Sequence, residues 1–216
     1  KLRTYAIIDQ TNQQVMINEI RNMLKGLALL RYPETIKVLG EMRLQRLMLA
    51  DIQAKFPKAK LSDGIEWVGY QSGLFKIGEN SQVCQGTVLA FGDAKNGFGK
   101  IIIGDNTWIG QYNNLRSCAD GHIRIGRECL ISQFCTLVGS NHSVNRNKLI
   151  REQGSDSSRL GVTLKDDVWL GSGVSVMPGI EIGEGCVIGA NSVVTKSVPD
   201  YEIWAGCPAK KIGERE

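Results

Sequence analysis

The chain has 216 residues, 42% hydrophobic and 22% charged, with a formal net charge of +4. That size and balance suit one medium domain with an extension, and exclude disordered and collagen-like chains. Strictly apolar runs are no longer than that from Leu27 to Leu30, far short of the roughly 20 residues that cross a bilayer, so neither a membrane span nor a signal peptide is expected.

The charge is uneven. Residues 1–60 carry 11 Lys+Arg against 5 Asp+Glu, and residues 61–216 carry 15 against 17, so the basic excess lies in the first segment. Its charges are interspersed with apolar residues, which reads as the solvated side of helices. No nucleic-acid partner is expected, whereas peripheral contact of these basic helices with an anionic membrane stays open. Met16, Ile20, Met23, Leu24, Leu27 and Leu30 recur at helical spacing and predict a helix over 12–31 with Asn12 as its N-cap. Pro33 and Glu34 start a second helix that ends before Pro57. These narrow apolar stripes need a partner surface, with capping of the following domain as the expected role. The helical segment is taken as residues 1–60.

From residue 61 the period changes. An aliphatic residue returns every six positions at Ile77, Val83 and Leu89; at Ile103, Ile109 and Leu115; at Ile125, Ile131 and Leu137; and from Leu164 through Leu170, Val176, Ile182 and Ile188 to Val194. Glycine follows it in seven of these fifteen hexapeptides, and the fifth position is Ser, Thr, Ala, Val or Cys in eleven, so two further columns keep the same register. Such a unit forms one short strand and one bend, so three hexapeptides close a triangular coil of about 18 residues whose strands stack in parallel about 4.8 Å apart. The expectation is a mainly β solenoid of about five coils over residues 61–216.

Three of the six cysteines, Cys129, Cys135 and Cys186, fall at the fifth position, which assigns them to the interior and removes them from metal or disulfide roles. There is no C-x-x-C pair, so a reducing, cytoplasmic compartment is expected.

The repeat breaks three times. FGDAKNGFG makes the step from Leu89 to Ile103 two residues too long, and the stretch around SCADGH makes the step from Leu115 to Ile125 two too short. The largest break is SNHSVNRNKLIREQGSDSSRLG, a projecting polar loop over 140–162. Loops of that length in a compact domain usually carry function. The chain has only two histidines, and His142 begins this loop. Neutral imidazole, with a reference pKa of about 6.5, suits a general base near neutral pH. His122, in ADGHIRIG, is read as structural. Two histidines without a Cys/His cluster do not supply the three protein ligands of a catalytic zinc, so no metal is expected.

With IGENSQ, IGDNTW, IGRECL, IGEGCV and IGANSV in register, and VWLGSGVSVMPGIEIGEGCVIGANSVVTKSVPDYEIWAGCPAKKI over Val168 to Ile212, the sequence resembles the hexapeptide-repeat acyltransferases, in particular their sugar O-acetyltransferase branch. The resemblance implies a left-handed parallel β-helix, against the right-handed rule for parallel connections, and a homotrimer with sites between neighbouring subunits. It implies acetyl-CoA as acyl donor, His142 as general base, and direct attack of a sugar or polysaccharide-precursor hydroxyl on the thioester. Carried over residue by residue, it assigns Trp169, Gly171, Ser172 and Ala190 to the pantetheine arm and thioester, and Thr195, Lys196 and Lys210 to the nucleotide end. A second C-terminal basic residue of the family would fall at Gly213. It assigns Asn114 to the acceptor hydroxyls, while the adjacent Asn113, at an inward fifth position, is free to bond the coil backbone instead. Two other readings stay open at this point: a non-catalytic β-helix assembly or binding module, and an acetyltransferase acting on an antibiotic or amine.

Overall fold

The computed structural model describes residues 2–216, with side chains from Val15 onward. The chain divides into two compact units, with the division between residues 54 and 55.

The first unit holds two helices, α1 (Leu2–Leu29) and α2 (Pro33–Lys55). Helix α1 begins ten residues before the expected start, and Asn12 lies inside it rather than at its cap. No glycine or proline interrupts residues 2–25, and one cap-type residue does not stop a helix that has no breaker. Helix α2 opens on Pro33, whose missing N–H costs nothing in a first turn, followed by Glu34 on the positive end of the macrodipole. The apolar stripe of α1 stays open in the single chain, with Met23 and Leu24 more than half exposed.

The second unit is a three-sided parallel β-solenoid. One face carries, in parallel order, Lys60–Leu61, Gln82–Val83, Trp108–Ile109, Leu130–Ile131, Trp169–Leu170, Val187–Ile188 and Glu202–Gly206, closed by the antiparallel strand Ala209–Glu214. A second carries Glu66–Val68, Val88–Ala90, Asn114–Arg116, Thr136–Val138, Ser175–Val176 and Val193–Val194. The third carries Phe75–Ile77, Ile101–Ile103, Ile123–Ile125, Val162–Leu164 and Ile180–Ile182. Five coils therefore have all three sides, as the period predicts, and a partial coil lies at each end. Where nothing is inserted the register advances by 18 residues, as from Trp169 to Val187 and from Val162 to Ile180.

All fifteen aliphatic positions point inward, with none more than 5% exposed. The fifth-position column does more than fill space. Ser81 Oγ donates to Gly104 O at 2.6 Å and accepts from Thr107 N at 2.9 Å; Thr107 Oγ1 donates to Gly126 O at 2.8 Å and accepts from Cys129 N at 3.1 Å. Cys129 Sγ donates to Lys165 O at 3.2 Å and Cys135 Sγ to Gly171 O at 3.2 Å. Burial pushes both thiols up to about 11, which keeps them protonated as donors. Asn113 joins the same ladder, giving its Nδ2–H to Gly110 O and taking Cys135 N–H on its Oδ1. The column thus stitches each coil to its neighbour where the bend leaves backbone groups unpaired.

At two of the three corners the third residue after the aliphatic one takes a left-handed conformation, whether or not it is glycine: Asn80, Asn106, Glu128 and Asp167 at one, Gly86, Tyr112, Phe134, Gly173 and Asn191 at the other. An L side chain costs roughly 1–2 kcal/mol in that region, so the turn rather than residue preference sets these angles. The Tyr112 and Phe134 rings stack at 5.5 Å with an interplanar angle of 6° on the outer corner.

Ile131 is wholly buried in the central coil. Ile131→Ala should cost about 2–5 kcal/mol, read as a lower urea midpoint with little change in slope; a shift near zero would mean the column is not the core.

Candidate active site

The three breaks in the repeat leave the solenoid at one corner, between the second and third faces. The first becomes a hairpin, Gly92–Asp93 against Gly97–Phe98. The second is a tight turn bridged between Cys118 and Gly121. The third is the long loop, which crosses back on itself at His142 and Ser155 and contains a short 3-10 turn, Ile150–Glu152. Because the coils beneath are stacked in register, these excursions stand side by side. With strand residues Ala90, Arg116 and Val138 they enclose a cavity of about 420 Å³ into which His142, Asp93, Asn96, Ser117 and Ser140 also face.

The long loop is held from inside by Gln153. Its Nε2 donates to Asn145 O at 2.9 Å and Lys148 O at 3.0 Å, and its Oε1 accepts Asn145 N–H at 2.7 Å. Its side chain is 8% exposed, which makes it the buried polar anchor of a loop that otherwise stands in solvent. The Gln153 carbonyl lies 3.4 Å from His142 Nδ1. A carbonyl only accepts, so this pairing puts the N–H on Nδ1 and leaves the lone pair on Nε2.

Asp93 is held below the usual carboxylate range by Asn96, first through its side-chain amide and then its backbone N–H, with Lys95 N–H adding a further bond. The Arg116 guanidinium, in contrast, has no hydrogen-bond or ion-pair partner among the described residues, and the strand neighbours of Arg116 in register are Ala90 and Val138. Asp93, Asn96, Arg116 and Gln153 carry no signal in a single sequence; only the superposition of three separate loops brings them together.

The remaining predicted residues lie elsewhere on the chain, and none lines this cavity. Asn114 is two residues before Arg116 on the same outward side of its strand, and its Oδ1 is buried without a partner among the described residues. Trp169 is half-exposed on the first face. Gly171 follows it where a Cβ would come within 2.6 Å of Ala190 N, so coil stacking alone requires this glycine and places it against Ala190. Ser172 Oγ donates to Gln133 O at 3.1 Å. Thr195 O accepts from Arg159 of the long loop at 3.1 Å, and Lys196 next to it is exposed. Lys210, in the last strand, has no ion-pair partner among the described residues, whereas Lys211 pairs with Glu202 at 2.9 Å.

His122 sits apart from His142, on the third face. Its Nδ1 accepts Lys100 N–H at 3.1 Å, which closes the turn before Ile123. Among the described residues no group of three His, Cys, Asp or Glu side chains is placed to hold a metal ion, and no helix is long and apolar enough to cross a membrane.

The model of the family "Bacterial transferase hexapeptide (six repeats)" matches residues 161–196. A probable acetyltransferase of Mycobacterium tuberculosis is 35% identical over 119 residues, which are 55% of this chain and 38% of that protein. The putative lipopolysaccharide biosynthesis O-acetyl transferase WbbJ of Escherichia coli is 34% identical over 147 residues, covering 65% of this chain and 71% of WbbJ. Among solved structures, the S84C mutant of AntD, an N-acyltransferase from Bacillus cereus, superposes with a TM-score of 0.61 at 22% identity, over 79% of this chain and 89% of AntD. The fold and this extent of identity place the chain in the hexapeptide-repeat acyltransferase family. It spans well under half of the mycobacterial relative.

Burial, then Arg124 and Lys100, holds the His122 imidazole below its ordinary value. The unfolded chain therefore binds this proton first, and stability present above about pH 6.5 is lost as pH falls toward the folded value. His122→Gln should flatten that stretch, so its melting temperature should fall less than the parent's between pH 7.5 and 5.5; parallel curves would refute the assignment.

Proposed function

We propose that the chain is an acetyl-CoA-dependent O-acetyltransferase acting on a hydroxyl of a sugar or polysaccharide precursor. The observation that carries this reading is His142, poised on a cavity wall with its Nδ1 facing a carbonyl and its Nε2 lone pair free. Nε2 takes the acceptor hydroxyl's proton as the oxygen attacks the thioester carbonyl; the C–O bond forms, the C–S bond breaks, and the imidazolium returns the proton to the thiolate. No Ser or Cys stands in a nucleophile–base pair with His142 among the described residues, which favours direct transfer over an acyl-enzyme.

The acceptor oxygen enters from the cavity. The orphan Oδ1 of Asn114 supports a hydroxyl-bearing ligand along the same strand face, since leaving a buried acceptor unpaired costs about 1–3 kcal/mol. Trp169, Gly171, Ser172 and Ala190 are assigned to the pantetheine arm, and Thr195, Lys196 and Lys210 to the nucleotide end of the donor. Lys210, free of the pairing that occupies Lys211, is available to a phosphate. A backbone N–H near Gly171 supplies the oxyanion contact that contributes most in acyl transfer. None of these donor residues lines the His142 cavity of its own chain, which supports a homotrimer in which one subunit's loop meets its neighbour's donor cleft. Six free thiols support a reducing, cytoplasmic compartment.

His142→Ala should lower thiol release from acetyl-CoA by about 10²–10⁴-fold while its melting temperature stays near the parent's. Undiminished turnover would remove His142 from the mechanism.

A further inference from the structure

We propose that the acceptor is anionic, and that Arg116 reads its negative group; this deepens the O-acetyltransferase reading and rests on it. Arg116 lines the same cavity as His142, on the outward side of Asn114–Arg116. Its neighbours above and below, Val138 and Ala90, are apolar, so they offer its guanidinium nothing. Asp93 is the one carboxylate on the lining, and the hairpin already holds it through Asn96 and Lys95 rather than Arg116. An arginine presents five N–H donors in a rigid fork, and Arg116 lines this cavity with none of them bonded to another group among the described residues.

The loop that carries His142 has the same sign. Residues 140–162 contain Arg146, Lys148, Arg151 and Arg159 against Glu152 and Asp156. Of these, Arg159 is engaged with Thr195 O, while Arg146, Lys148 and Arg151 have no ion-pair partner among the described residues. An unspent guanidinium on the cavity wall, with a loop of net positive charge carrying His142, favours anions and orients a planar one. A neutral sugar would offer the fork only hydroxyl oxygens, without the charge-assisted, bidentate pairing that an anionic group gives. Phosphate and carboxylate share the required chemistry, so the acceptor is a saccharide bearing a phosphoryl group or a uronic carboxylate, with its reacting hydroxyl toward His142.

The test compares matched acceptors on the full chain by thiol release from acetyl-CoA: galactose, galactose 1-phosphate, UDP-galactose and galacturonate, with calorimetric binding of each in parallel. The expected kcat/KM for at least one anionic member exceeds that for galactose by about 10- to 100-fold, the range of one charge-assisted hydrogen-bonded contact. Whether the phosphorylated pair or galacturonate leads identifies the source of the charge. Arg116→Gln should bring that ratio near one, chiefly through KM. Arg116→Lys should recover part of it, since lysine keeps the charge without the fork. Equal use of neutral and anionic acceptors, or a ratio untouched by Arg116→Gln in a variant that melts like the parent, would overturn the proposal. Should no acceptor release thiol, the O-acetyltransferase reading fails, and the calorimetry decides alone. Selective anion binding lost in Arg116→Gln would sustain the anion site, and its absence would end it.

Discussion

Each coil must lie directly on the one before it, because the backbone N–H and C=O groups of a short parallel strand find partners only in the strands above and below, at about 4.8 Å. That constraint leaves no freedom along the faces. Any residue beyond the 18 of a regular turn has to leave at a corner, and the next strand must return to register. The step from Thr136 to Ser175 spans 39 residues and still keeps the pairing that Ser175 to Val193 makes in 18. The protein can thus lengthen one connection greatly without disturbing the core, which is where its loop with His142 comes from.

The same constraint explains why the site is made of three loops. The excursions after Ala90, Arg116 and Val138 leave successive coils at equivalent points, so they rise from one corner and become the walls of a single cavity. None encloses space alone. Of the residues proposed for the donor, Trp169, Gly171, Ser172 and Ala190 belong to the first face and the corner after it and Lys210 to the last strand, and none of them lines the cavity of its own chain.

The period that fixes the core is local and was readable. Every predicted inward aliphatic residue is buried, because six-residue spacing is a property of neighbours in sequence. What the fifth column does was only half visible: small size can be read from Ser81, Thr107 and Cys129, but the bonds from their side chains to the following coil join residues 23, 19 and 36 positions apart. His142 could be picked out because imidazole is rare here and sits at a break in the rhythm. Arg116 and Gln153 could not. One looks like an ordinary outward strand residue and the other like one amide in a polar loop, and each gains meaning only from groups that folding places around it. The start of α1 was misplaced for a simpler reason, since residues before Asn12 show no clear apolar period yet nothing in them breaks a helix.

The stacked pair Tyr112 and Phe134 ends abruptly, because the corner positions one coil away on either side are Gly86 and Gly173. A side chain added at Gly86 would run into the Tyr112 ring. Residue identity at this edge is therefore a property of vertical neighbours, not of single sites: bulk can enter at position 86 only when it is surrendered at 112. Sequence drift along the outer edge of such a solenoid should proceed by linked exchanges about one coil apart, a form of epistasis written into the geometry of the turn.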